Sequence, residues 1–137
     1  MAIYHCTLRA RSYELDAFGH LNHAVYLNYF ETARFQALEE GGFDLGTLSE
    51  RGWGIHVVRV EVDFRSEVFL GDRIQIETGT RELRNSSMTL EQTARNLSRD
   101  GAVAAQARVV IVWVGSDRRP MRIPAEVREA FPVMPES

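Results

Sequence analysis

Hydrophobic and polar positions alternate along most of this chain, and the period of the alternation changes from one stretch to the next. In residues 55–65, Val58, Val60, Val62 and Phe64 alternate with Arg59, Glu61, Asp63 and Arg65. That period of two predicts a strand with one dry face. Residues 73–83 alternate again, with Ile74 and Ile76 on one side and Gln75 and Glu77 on the other. Leu70-Gly71-Asp72 predicts the turn between the two. Asn85-Ser86 predicts the next turn, residues 87–98 a strand, Asp100-Gly101 a hairpin and residues 102–114 the last strand. Near the start, residues 2–12 read as a strand and residues 13–22, with Asp16, Gly19 and Asn22, as a loop. Residues 23–40 contain good helix formers, neither Gly nor Pro, and stop at Gly41-Gly42, which predicts a helix with Asn22 as its N-cap. Its front half, Ala24 to Phe30, is apolar nearly all round and predicts a helix buried on most sides. A short helix is expected near 124–131, with Pro124 at or near its first turn.

Strand, long helix and four further strands make an α+β domain, with one helix packed on one face of a five-stranded antiparallel sheet. No low-complexity linker interrupts the chain, so residues 1–137 are expected to form one domain. In the last strand, Val109-Val110-Ile111-Val112-Trp113-Val114 is apolar on both faces. One helix covers one face only, and a second copy of the chain is the simplest cover for the rest.

Composition narrows the function classes. Of the 137 residues, 45% are hydrophobic and 26% charged, which are ordinary globular values. The formal net charge of −3 leaves no electrostatic footprint for nucleic acid. All sixteen basic residues are Arg. The single cysteine, Cys6, excludes an internal disulfide and reads as a small buried hydrophobe. There is no apolar run of signal-peptide length before Arg11 and none near the roughly 20 residues of a membrane span. The expected compartment is therefore the cytoplasm.

The segment Tyr13-Glu14-Leu15-Asp16-Ala17-Phe18-Gly19-His20-Leu21-Asn22-His23 concentrates polar chemistry where the helix begins. A helix N-terminus presents unpaired N–H groups and a positive dipole end, which can polarise a carbonyl and stabilise an oxyanion. A carboxylate beside it can activate water or attack directly. Asp16 also fits a plain turn-forming Asp whose side chain bonds nearby backbone. Asp16, His20 and His23 are all metal-ligand types, but their spacing matches no zinc motif and no Cys joins them. Glu31 has Arg34 three residues on as a possible helical ion-pair partner.

Asp16-x-x-Gly19-His20-x-Asn22 followed by an aromatic-rich helix resembles the hotdog-fold thioesterases, and within them the 4-hydroxybenzoyl-CoA thioesterase-like group. Glu50-Arg51-Gly52, Leu70-Gly71-Asp72, Arg84 to Ser87 and Arg122-Ile123-Pro124-Ala125 fall in family order. The resemblance implies a sheet wrapped around one long central helix and hydrolysis of an acyl-CoA thioester to a carboxylic acid and CoA. Neither metal nor cofactor is implied, because water is the only co-substrate. By the same resemblance, Asp16 matches the catalytic carboxylate. His23 lies where the backbone N–H faces the thioester carbonyl, and His20 and Asn22 match a Gly-His-x-Asn signature. Glu31 falls near the acyl group, and Arg84 and Asn85 fall in the turn that contacts the CoA phosphates. That turn is richer in Arg and Lys in the family, and Asn85 departs from it. A homodimer is implied, with a homotetramer left open. Two other classes stay in view: an acyl-CoA-binding hotdog module without turnover, and a hotdog hydratase or dehydratase, whose motif this sequence lacks.

Overall fold

The computed structural model describes residues 3–135. Strand β1, Ile3–Arg9, precedes helix α1, His23–Glu40, and a second helix α2, Leu45–Arg51. Four strands follow: β2, Gly54–Phe64; β3, Arg73–Leu83; β4, Ser87–Asn96; and β5, Ala102–Val114. Helix α3, Ala125–Ala130, comes last. The strands form one antiparallel sheet in the order β1-β3-β4-β5-β2, so β1 and β2 are its two edges. The expected α+β arrangement of five strands and one long helix is what the chain adopts.

Each helix has a local cause. Asn22 accepts a hydrogen bond from the Ala24 N–H at 2.9 Å and caps α1 as expected. Asp44 does the same for α2 through the Thr47 N–H at 2.8 Å, and Gly52 ends that helix at φ +69°. The sequence reading did not anticipate α2. In α3, Pro124 is the capping residue, immediately before the first turn as expected. Strand β4 stops at Asn96, short of the expected 98, because Leu97–Arg99 form a 3-10 turn in which the Asn96 side chain accepts from the Ser98 N–H. The position 2 start expected for β1 lies outside the described residues.

Helix α1 lies against β1 and β3 and buries Tyr26, Tyr29, Phe30, Ala33 and Ala37, a single stripe at helical spacing. The expectation of a helix buried on most sides is corrected: Leu27 and Phe35 stay exposed. Below the helix, Ile74, Ile76, Ala94, Val109, Ile111 and Trp113 form the inward face of the core.

Strand β2 departs from its apparent alternation. Its register against β5 slips between Val57 and Arg59, which makes Val58 the extra residue of a bulge. The inward positions at this end pass to Ile55, opposite Trp113, and Val57, opposite Ile111. Because α1 packs mainly over the β1 and β3 part of the sheet, several apolar residues of β2 are only partly covered: Val57, Val58 and Phe64 are 48%, 60% and 52% exposed, while Ile55 and Val62 pack against the core. The anticipated dry face is therefore partly open in the single chain. In β5, by contrast, the outward Val110 and Val112 are half-buried between neighbouring strands. The uncovered apolar surface belongs to the edge strand, not to the doubly apolar one.

Candidate active site at the start of the long helix

Leu15 and Leu21 bridge the base of the loop that leads into α1. Between them the chain turns back on itself, with Asp16 N–H donating to the His20 carbonyl at 2.8 Å and Gly19 N–H to the Asp16 carbonyl at 3.1 Å. Gly19 takes φ +82°, a conformation that favours glycine. Asp16 Oδ1 accepts from the Phe18 N–H at 2.9 Å and the His20 N–H at 3.1 Å. The hydrogen bond from the His20 N–H, joined by that from Phe18 and the nearby His20 and His23 rings, holds its carboxyl below the usual 3.8 despite partial desolvation. The turn-forming reading of Asp16 is thus realised by one oxygen, while Oδ2 has no hydrogen-bond partner among the described residues.

Glu14 stiffens this loop from behind. Its Oε1 accepts from the Arg11 N–H at 2.8 Å and from the Tyr29 hydroxyl at 2.6 Å. Burial and the adjoining Glu14 push the Tyr29 hydroxyl pKa well up, so it remains a donor. The loop is tied in this way to the inner face of α1.

Asp16, His20 and His23 share a cleft of about 300 Å³ with Tyr26, Phe64 and Glu67. His20 turns towards Glu67, Nε2 to Oε2 3.3 Å, and sets its ring edge against Phe69. The His23 ring meets Phe64 edge-on at 6.4 Å between centroids. At the helix start, Ala24 N–H is taken by the Asn22 side chain and Val25 N–H by the Asn22 carbonyl at 2.9 Å. The His23 N–H is left without a partner among the described residues, and His23 lines the Asp16 cleft. Among the described residues, no three His, Cys, Asp or Glu side chains converge closely enough to hold a metal ion.

The other candidates lie elsewhere. Asn22 uses its side-chain oxygen as the helix cap. Glu31 is two turns along α1 and lines a second, largely apolar cavity of about 130 Å³ between α1 and the sheet. Arg34 shares that cavity but does not pair with Glu31; its Nη1 donates to Gln92 Oε1 at 3.0 Å. Arg84 and Asn85 sit in the β3–β4 turn and line neither cavity. Arg84 pairs with Glu82, and Asn85 accepts from Arg122 Nη1 at 3.1 Å. Sequence reasoning missed Phe64 and Glu67, which line the Asp16 cleft, and Thr78 and Thr80 in the second cavity, with Gln92 donating to Thr78 from behind it. None of these stands near the Asp16 motif in sequence, and no local pattern marks them.

The profile of the thioesterase-like superfamily matches residues 10–131. An acyl-CoA thioesterase from Haemophilus influenzae is 31% identical over 120 residues, covering 86% of each chain. A chloroplastic acyl-acyl carrier protein thioesterase from Arabidopsis thaliana is 27% identical over 124 residues, covering 90% of this chain. The chain spans only 65% of the length of that plant protein and of a second Arabidopsis thioesterase of the same kind. Among solved structures, a DHNA-CoA thioesterase from Staphylococcus aureus superposes with a TM-score of 0.84 at 20% identity, covering 95% of this chain and 89% of the other. The fold is the hotdog fold, and the chain belongs to the thioesterase-like superfamily.

Proposed function

We propose that this protein hydrolyses an acyl-CoA thioester to the carboxylic acid and free CoA. The observation that carries the reading is the juxtaposition, in one cleft, of the free Asp16 Oδ2 and the unpaired His23 N–H. CoA is favoured as the thiol carrier because the Haemophilus relative named for it matches this chain in extent, whereas the carrier-protein relatives are longer.

The thioester carbonyl oxygen takes the place opposite the His23 N–H, where the first turn of α1 adds the favourable end of the helix dipole. Asp16 Oδ2 draws a proton from water as the water oxygen bonds to the carbonyl carbon, or attacks that carbon itself to form an anhydride. The negative charge that develops on the carbonyl oxygen is stabilised by the His23 N–H. The C–S bond then breaks and the thiolate leaves as CoA, protonated by Asp16 on the general-base route. On the anhydride route water then adds to the Asp16 side of the anhydride, releasing the acid and restoring the carboxylate. Single turnover in ¹⁸O-water separates the two routes, because only the anhydride route labels the Asp16 carboxyl. His20, held by Glu67, is placed to order water at the cleft rim. We assign a cytoplasmic location to this activity; no helix among the described residues is long and apolar enough to cross a membrane.

The reading includes a homodimer formed through β2. An uncovered edge strand with exposed valines pairs readily with a second copy. Antiparallel self-pairing of β2 would set its Ile55–Val57 end against the partner's Phe64 end. The second cavity, walled by Ile55 and Val57, would then open towards the partner's Asp16 cleft and receive the acyl group.

Asp16→Asn and Asp16→Ala are expected to lower kcat/KM for thiol release by at least about a hundredfold, in the range typical of removing a general base. The circular dichroism spectrum should be unchanged. Full activity in either variant would remove the central assignment. Thiol release by the wild-type chain also separates this reading from a non-catalytic acyl-CoA-binding module. An enoyl-CoA tested beside a saturated one separates it from a hydratase.

A further inference from the structure

The cavity between α1 and the sheet is apolar through Leu38, Ile55, Val57, Leu90 and Trp113, yet Glu31, Arg34, Thr78 and Thr80 also line it. Arg34 brings a partly buried guanidinium that feels the charge of Glu31 without a close ion pair to it, and has a single side-chain hydrogen-bond partner among the described residues, Gln92 Oε1. Gln92 is fully buried, and its amide nitrogen is committed to the Phe30 carbonyl at 2.9 Å and Thr78 Oγ1 at 3.0 Å. Thr80 is 1% exposed, and its Oγ1 has no partner. Glu31 stands on the same wall and is the one carboxylate lining the cavity.

A purely hydrocarbon acyl chain would leave these groups unmet. A guanidinium carries five donors, so four of those of Arg34 are uncommitted, and the Thr80 hydroxyl has an unused donor and acceptor. A buried polar group without a partner is rare, and Thr80 lining a cavity beside a half-buried guanidinium bears on the polarity of what fills it. The volume of about 130 Å³ is roughly tenfold what one water needs, which suits a short acyl group.

We infer that the preferred acyl group is short and carries an oxygen at its far end, received by the Arg34 guanidinium and the Thr80 hydroxyl. This rests on the thioesterase reading above and names its substrate class. Arg34 and Thr80 are specificity-determining residues, remote from the reacting carbon. Gln92 is a positioning residue that aims Arg34 into the cavity.

The test is a matched series of CoA esters, hexanoyl-, 6-hydroxyhexanoyl- and adipoyl-CoA, assayed by thiol release. At least one oxygen-bearing ester is expected to exceed hexanoyl-CoA in kcat/KM by about tenfold or more, as a site built to hydrogen-bond its substrate discriminates. The adipoyl and hydroxyl arms tell a carboxylate from a neutral oxygen. Thr80→Val, which keeps the shape, and Arg34→Met, which keeps the stem, should each bring the ratio close to one. Equal kcat/KM across the series, or a preference for hexanoyl-CoA, overturns the inference. A preference that persists in both variants does so too, as expected if Thr80 is satisfied only by a structural water. Failure to hydrolyse any of the three esters overturns the proposed reaction instead. The inference is then read from melting temperature in the presence of hexanoate, 6-hydroxyhexanoate or adipate. Stabilisation by an oxygen-bearing acid that is lost in Thr80→Val upholds it, and equal or absent stabilisation refutes it.

Discussion

At the scale of single residues, two aspartates that look alike in sequence take different parts. Asp72 is buried where the turn before β3 closes, and accepts from the Phe69 N–H and Asn96 Nδ2 at 2.9 Å and from Arg99 Nε at 3.0 Å. Burial pushes its pKa up, but these three donors and the Arg99 charge outweigh burial and hold it below the usual 3.8. A folded-state pKa below the unfolded one contributes stability that is present above the unfolded value and lost as pH falls through the folded one. Asp72→Ala is therefore expected to cost about 3 kcal/mol at pH 7, since it strands buried donors. Its deficit relative to wild type should shrink below about pH 4. Urea unfolding at pH 7 and pH 3 measures both, and a variant as stable as wild type at pH 7 would contradict the assignment. Asp16, also held low by backbone donors, is only half-buried and lines a cleft. The neighbours set that difference, because Asn96 and Arg99 reach Asp72 from 24 and 27 positions away, whereas Asp16 is held by its own loop.

At the scale of elements, α1 both supports the core and presents the site, and Asn22 serves both roles by satisfying Ala24 N–H while leaving His23 N–H free. Replacing Asn22 by Ala is expected to lower stability by about 1 kcal/mol, with Asn22→Asp restoring it, because only the capping oxygen matters to the helix. Thermal melts check this. If Asn22→Ala melts with wild type, the cap is not contributing. The long helix was legible because eighteen residues carry a cap, a stripe and a stop. Helix α2 was not, although Asp44 and Gly52 bracket it, because seven residues hold too few apolar repeats to show a period. The bulge in β2 was hidden for another reason. The run Val58, Val60, Val62 continues unbroken in the sequence, and only pairing with β5 shifts Val58 out of register.

At the scale of the whole molecule, helix and sheet enclose one side of the core and leave the β2 edge apolar and bare. The chain is expected to scatter light as a dimer at micromolar concentration. Val60→Arg, which puts a charge on the exposed apolar edge, should shift it towards monomer and lower thiol release at the same time, if each acyl cavity faces the partner's cleft. A wild-type monomer, or a fully active monomeric variant, would count against the composite site.

The chain's own periodicity determined the α+β class, the five strands, the long helix and the loop in which Asp16 stands, because each of these is set by neighbours a few residues apart. The tertiary structure alone decided which oxygen of Asp16 is free, which strand is left uncovered, and that Arg34, held by Gln92, shares a cavity with Thr80. The Arg34–Gln92 contact spans 58 positions and the Tyr29–Glu14 contact 15. Such contacts depend on how sheet and helix stack, and a pattern read along the chain carries no record of distances across it.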